Sequence, residues 1–264
     1  MKRNDAIVHT RTLYYAADPN AGRESAPNAA AAALAELLPR GDFLLQMNLV
    51  PQFAQDGVGE IHVLLGVASS AAGKLDVLIG AFDRLFKPVS QPLKQRLDVP
   101  AAAVAGTSAF QWSSVLKLPP GSYEVRAAIA TADGKRTASV IGYVDVPDLG
   151  KMRVALSGVL VKSAGGPTLK RVFGAGEAIE CSVQVAHARR DRGTLAVRYL
   201  LRNGGDEIVS NGDVPRDVDV PAGTVFDQLR LALRLPDAPG RYVLTIEASE
   251  HGRSASSDVP IEVR

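Results

Sequence analysis

From Asp42 onward, apolar and polar residues alternate with a period of two, interrupted at intervals by Pro- and Gly-rich breaks. This is the pattern of half-buried β-strands. It predicts strands over 43–50, 60–68, 75–82, 108–118, 122–130 and 137–146, with a weaker one over 93–99. A second series follows over 153–161, 178–187, 195–202, 225–235, 241–248 and 254–263, with a short extra strand over 208–210. The two series are copies of one plan. The stretch 116–146, LKLPPGSYEVRAAIATADGKRTASVIGYVDV, returns at 233–263 as LRLPDAPGRYVLTIEASEHGRSASSDVPIEV, so that Gly240 and Tyr242 follow Gly121 and Tyr123 by 119 positions each.

The repeat extends upstream of this closing motif. GVGEIHVLLGVA from Gly57 matches GAGEAIECSVQVA from Gly174, and in both the Gly-x-Gly-Glu is expected to form the turn into a central strand. A nucleotide-binding reading of these glycines fails, because the third glycine, the preceding strand and the following helix are missing. Pro and Gly in VPDLGKM, 146–152, mark a short linker, across which the two sandwiches are expected to sit end to end with restricted freedom. The domains are therefore an N-terminal extension with a short helix over 1–41, a first β-sandwich over 42–147 and a second over 148–264. In the extension, Asn28 is placed to cap AAAAALAELL, and Pro39 to Gly41 stop it. A linker helix lying on the first sandwich is the expected result. Residues 6–15 look like the tail of a preceding unit.

Gly-x-Tyr at the head of the penultimate strand has a structural purpose in immunoglobulin-like and fibronectin-like sandwiches. The tyrosine turns its hydroxyl back to the backbone just upstream and closes a Greek-key corner. Tyr123 and Tyr242 are placed for such corners, with Gly121 and Gly240 permitting the close backbone approach. Val125, Ala127 and Ile129 behind the first, and Leu244, Ile246 and Ala248 behind the second, should face the cores.

Composition narrows the function. Apolar residues at 46% and charged residues at 22% suit a globular protein, and a net charge of +2 argues against a nucleic-acid surface. The longest nearly apolar tract, 29–38, is too short to span a bilayer, so no membrane insertion is expected. The single cysteine, Cys181, excludes an intramolecular disulfide and reads as a small buried residue. His9, His62, His187 and His251 are scattered without metal-ligand spacing, and no nucleophile motif is present, so neither a metal, a cofactor nor a catalytic residue is nominated. Asp206, Glu207, Asp213, Asp217 and Asp219 read as solvated hairpin loops rather than a calcium site. Two candidate binding surfaces remain. Arg189, Arg190 and Arg192 in HARRDRG form a loop suited to an anionic partner, and Trp112, on one strand face with Phe110, is a core residue unless exposed, when it would suit a sugar.

RTLYYA at 11–16, LPPGSYEVRAAI followed by GYVDVPDL, LSGVLVKS from Leu156 and PGRYVLTIEA together resemble the region that follows the von Willebrand factor A domain in a group of bacterial von Willebrand factor A-related proteins, abundant in acidobacteria. The likeness covers nearly the whole chain. It departs at Leu13, where that family usually has Gly, and the chain has no A domain and no Asp-x-Ser-x-Ser motif, so metal-dependent adhesion is not carried over. The resemblance implies a secreted, periplasmic or cell-surface bacterial protein whose paired sandwiches support an adhesion-type domain. The combined expectation is an all-β chain of two tandem immunoglobulin-like or fibronectin type III-like sandwiches, not an enzyme, that binds a protein partner or, alternatively, a carbohydrate.

Overall fold

The computed structural model describes residues 29–36, 38–54, 58–67, 73–99, 110–148, 154–163, 166–187, 195–214, 226–250 and 252–264. Helix α1 (Ala29–Ala35) precedes the strands β1 (Leu45–Phe53), β2 (Gly59–Val67), β3 (Gly73–Phe82), β4 (Leu93–Val99), β5 (Phe110–Leu118), β6 (Gly121–Thr131) and β7 (Thr137–Val146). They form two antiparallel sheets, in the orders β1-β2-β5 and β4-β3-β6-β7. Placing β4 beside β3 departs from the constant-type immunoglobulin division, where the fourth strand lies beside the fifth.

Alternation explains the packing of this sandwich. Ile61, Val63, Leu65 and Val67 of β2 face Leu75, Val77 and Ile79 of β3 and Val125, Ala127 and Ile129 of β6 in one buried cluster. Each buried Ile, Leu or Val contributes about 1.5–3 kcal/mol relative to exposure.

The second sandwich repeats the plan with β8 (Val154–Leu156), β9 (Leu160–Ser163), β10 (Gly166–Pro167), β11 (Val172–Phe173), β12 (Ala178–His187), β13 (Ala196–Asn203), β14 (Ile208–Asp213), β15 (Phe226–Arg234), β16 (Gly240–Glu250) and β17 (Arg253–Val263). One sheet runs β10-β9-β12-β15, with β8 also on β12, and the other β11-β17-β16-β13-β14. β11 lies parallel to β17. Cys181 is buried in this core, where desolvation pushes its thiol up to about 12, well out of thiolate range.

Helix α1 lies on the outer face of the first sandwich. Ala30, Ala33 and Leu34 pack on Leu78 of β3 and on Ala128 and Ala130 of β6, small residues that let a helix approach. Beside them Arg126 Nε donates to Glu124 Oε1 at 2.6 Å, and Nη1 donates to the Leu34 carbonyl, a helix-end acceptor, at 3.1 Å. The guanidinium also stacks 4.9 Å above the Phe82 ring. An outer-face ion pair is thereby buried under the chain that the helix leads in.

Two expectations need correction. The strand expected over 153–161 is two strands, β8 and β9, separated by Ser157, Gly158 and Val159. The reason is a change of phase: Val154 lies in the second core with Leu156 packed against it, and beyond Gly158 the core-facing residues are Val159 and Val161. An uninterrupted strand cannot point both pairs inward. The sandwiches, moreover, do not meet only end to end. The last residues of β1 dock against β8, β9 and β12 at that interruption.

Candidate functional site at the joint between the sandwiches

The end of β1 carries Gln52 on its outward side, and the sheet it approaches carries Gln184 on the outward side of β12. Both amides are buried, as is Ser157 between them. Gln52 Nε2 donates to Ser157 Oγ at 3.0 Å and to the Gly158 carbonyl at 2.6 Å. Gln184 Oε1 accepts from the Phe53 main-chain N–H at 2.5 Å, while the Gln184 main-chain N–H donates to Ser157 Oγ at 2.8 Å. The Gly158 amide donates to the Pro51 carbonyl at 2.7 Å, so main chain meets main chain across the joint. Groups of this kind cost about 1–3 kcal/mol each when buried without a partner. Here they satisfy one another.

Apolar contacts flank the polar network. Val50 and Leu64 of the first sandwich pack with Leu160 and Leu169 of the second on one side. Phe53 packs with Ala155, Ala186 and Phe226 on the other, its ring centroid 6.0 Å from that of Phe226. Gly158 is required by contact: a Cβ there would lie 2.7 Å from Val50 Cγ1 and 2.9 Å from Pro51 Cδ. The break in the first strand of the second sandwich is thus the socket that receives the first.

A cleft opens beside this joint. Its volume is about 300 Å³, and it is lined by Leu64, Gln111, Trp112 and Ser113 from the first sandwich and Ser163, Pro167 and Thr168 from the second. Gln111 Oε1 bridges the two, accepting from Thr168 Oγ1 at 3.0 Å and from the Leu169 amide at 2.9 Å. Trp112 is half-buried, and its side chain packs against the first core, on the opposite face of β5 from Gln111 and Ser113. All the described lining side chains are uncharged.

The other nominated residues are dispersed. Tyr123 Oη donates to the Pro119 carbonyl at 2.8 Å, and Tyr242 Oη to the Ala238 carbonyl at 2.7 Å, so each sandwich has a hydroxyl-to-backbone corner. A Cβ on Gly121 would sit 2.9 Å from Tyr123 Oη, whereas one on Gly240 would lie 3.6 Å from the Tyr242 ring, an ordinary contact. These corners lie in the folding scaffold, and neither tyrosine lines the cleft. Arg189, Arg190 and Arg192 fall outside the described residues, as do Asp217, Asp219, His9, His251 and the segment 6–15. Asp206 pairs with Arg202 at 3.5 Å and Glu207 accepts from Asn203 Nδ2 at 2.9 Å, contacts internal to the β13–β14 hairpin. Among the described residues no group of three or more His, Cys, Asp or Glu is arranged to hold a metal ion.

Sequence reasoning missed the joint. Gln52, Ser157 and Gln184 occupy positions that alternation assigns to solvent, and nothing about a polar residue at an outward position announces a second domain above it. The phase slip between Leu156 and Val159 was the available signal.

No family model matches this chain. No curated protein matches it either. Among solved structures it is similar to a chimeric titin Z1Z2–Z1Z2 tandem functionalized with a GRGDS exogenous peptide from fibronectin, at 12% identity over 83% of this chain and 100% of that one, with a TM-score of 0.24. At that score the superposition is too poor to add to the assignment, which rests on the strand orders and the two cores.

Proposed function

We propose that this chain is a non-enzymatic structural and protein-interaction module of an exported bacterial protein, in which two β-sandwiches are held as one body to present or extend a neighbouring domain. One observation carries the reading: the Gln52 side-chain amide, the Gln184 side-chain oxygen and the main-chain N–H groups of Phe53 and Gly158 find their protein partners across the joint, with β1 seated in the β8–β9 break. A simple tether has no use for such a joint, since flexible linkage needs only an exposed polar segment. The motif resemblance to the region following von Willebrand factor A domains supports the same role and supplies the exported, cell-surface setting. Among the described residues no helix is long and apolar enough to cross a membrane.

The test is capture from a bacterial envelope extract, using the intact chain and a Gly158→Val chain side by side as bait. A defined protein retained by the first after a salt wash and lost by the second, with both folded, supports a role that depends on the fixed arrangement. Equal retention by both, or none by either together with independent tumbling of the two sandwiches, contradicts it. Carbohydrate binding is the second reading, and the observation favouring it is the uncharged cleft lined by Gln111, Ser113 and Thr168.

A further inference from the structure

We infer that the tip of the β3–β4 hairpin is a docking knuckle for a second copy of this chain and receives that copy's β13–β14 hairpin head to tail. The inference rests on the protein-interaction reading and deepens it by naming a partner. The internal repeat supplies the comparison. In the first sandwich the Asp83 N–H donates to the Lys87 carbonyl and the Phe86 N–H to the Asp83 carbonyl, both at 2.9 Å. In the second, the Asn203 N–H donates to the Glu207 carbonyl and the Asp206 N–H to the Asn203 carbonyl, both at 3.0 Å. The side-chain caps repeat as well. Asp83 Oδ1 accepts from the main-chain N–H groups of Leu85 and Lys87, and Asn203 Oδ1 from those of Gly205 and Glu207. One backbone turn therefore carries two sequences, Arg-Leu-Phe at 84–86 and Gly-Gly-Asp at 204–206.

The second sequence is the one this turn favours. Its third residue is left-handed, with φ 65° at Asp206 and φ 60° at Phe86, a conformation that Asp enters readily and a bulky aromatic does not. Leu85 gains no burial from its place at the tip, being 62% exposed. Folding accounts for Gly-Gly-Asp and leaves Arg-Leu-Phe for contact with something else. Beside the tip lies a depression of about 370 Å³, lined by Asp83, Arg84, Leu85, Gly121, Ser122 and Tyr123. Arg84 Nη2 donates to Ser122 Oγ at 2.9 Å, which holds the guanidinium there. Neither Arg84 nor Lys87 has an ion pair among the described residues. The β13–β14 hairpin is complementary to this surface. Asp206 and Glu207 are exposed, and Ile208 and Val209 follow at 51% and 44% exposure on β14, an edge strand of its sheet. The Asp206 side chain is 91% exposed and only 3.5 Å from Arg202 at its nearest, so its carboxylate can meet a second cation. Two cations beside an exposed leucine thus face two carboxylates beside an exposed isoleucine and valine. Because the two surfaces differ, the contact is heterologous, and each copy can take one neighbour at either hairpin.

Sedimentation velocity of the intact chain, over roughly 10 μM to 1 mM at low salt, tests the contact. The expected result is a mass that rises with concentration and falls when salt is added. Lys87→Glu should weaken association about fivefold to tenfold, and adding Glu207→Lys to the same chain should restore it. Leu85→Asp and Ile208→Asp should each stop association when alone. Mixed in equal amounts they should form a dimer and nothing larger, since one chain keeps its hairpin and the other its knuckle. Arg84→Gly with Leu85→Gly copies the second tip into the first and keeps the turn, so its loss of association cannot be laid to misfolding. A wild-type chain that is monomeric throughout overturns the inference. So does association that survives Leu85→Asp and the double-glycine tip, or a mixture of the two Asp variants that stays monomeric. If the monomeric chain still captures an envelope protein, the protein-interaction reading stands without the knuckle. If it captures none, both fall.

Discussion

The two sandwiches use one set of inward residues and two different sets of outward ones. Tyr123, Val125, Ala127 and Ile129 on β6 correspond to Tyr242, Leu244, Ile246 and Ala248 on β16, and all eight are buried. The residues between them diverge. Glu124, Arg126, Ala128 and Ala130 stand where the second copy has Val243, Thr245, Glu247 and Ser249. In the first copy those outward positions form a buried ion pair and a floor of alanines under α1. In the second, Val243 is exposed and Glu247 forms a partly exposed pair with Arg198 at 2.7 Å. The first strand differs as well, continuous as β1 and interrupted between β8 and β9. The interior defines the sandwich, and the departures mark where something else packs upon it.

The comparison breaks most sharply at Arg126. Arg126→Met takes the guanidinium away from buried Glu124 and from the Leu34 carbonyl, and should destabilise the first sandwich by about 3 kcal/mol. Thr245→Val, at the matching position of β16, should cost about 1 kcal/mol or less. Denaturant melts of the two variants, compared at constant m-value, give both numbers. Equal losses would mean the outer faces are equivalent after all. Gly158→Val comes next. It forces a side chain against Val50 and Pro51 and should cost about 2 kcal/mol of overpacking, with scanning calorimetry showing the two sandwiches melting more independently than in the wild type.

The shared corner sharpens the comparison from the other side. Tyr123→Phe and Tyr242→Phe each remove one hydroxyl-to-carbonyl bond and should each cost about 1 kcal/mol. An unchanged unfolding midpoint in either would remove the corner from that sandwich's account. The smallest effect is expected from pH. His62, on the outer side of β2 opposite Val50, has its pKa lowered from 6.5 by burial, against a weaker opposing pull from Glu60. The unfolded chain then binds the proton more readily. Stability is fully present well above the unfolded value and should fall as the pH drops from about 7.5 to about 5.5. His62→Gln should flatten that slope.

Alternation and the repeat made most of the strands legible in the amino-acid sequence, because a period of two is a direct consequence of one face being buried. The Pro-Gly-x-Tyr lead-in was readable for a related reason: a ring followed by alternating apolar residues specifies a local geometry. The short helix was legible from its alanines. Three features were not. The β8–β9 break was hidden by reading 153–161 as one alternating run, across which the inward positions change phase at Ser157. β10 and β11 are only two residues each, too short to show a period. The joint amides were invisible because Gln52 and Gln184 lie on faces that a single sandwich leaves wet, and only the second sandwich turns them into interior. Trp112 follows the core alternative, half-buried against the first core.

The account turns on whether β1 remains seated in the break of the second sandwich, and amide hydrogen exchange at Phe53 and Gly158 measures this directly. Both N–H groups donate across the joint, to Gln184 Oε1 and to the Pro51 carbonyl. The predicted result is protection of both amides comparable to that of core strands such as β2 and β12, lost in Gly158→Val at Phe53 while the core strands keep theirs. Exchange of Phe53 and Gly158 at the rate of exposed loops in the wild-type chain would contradict it.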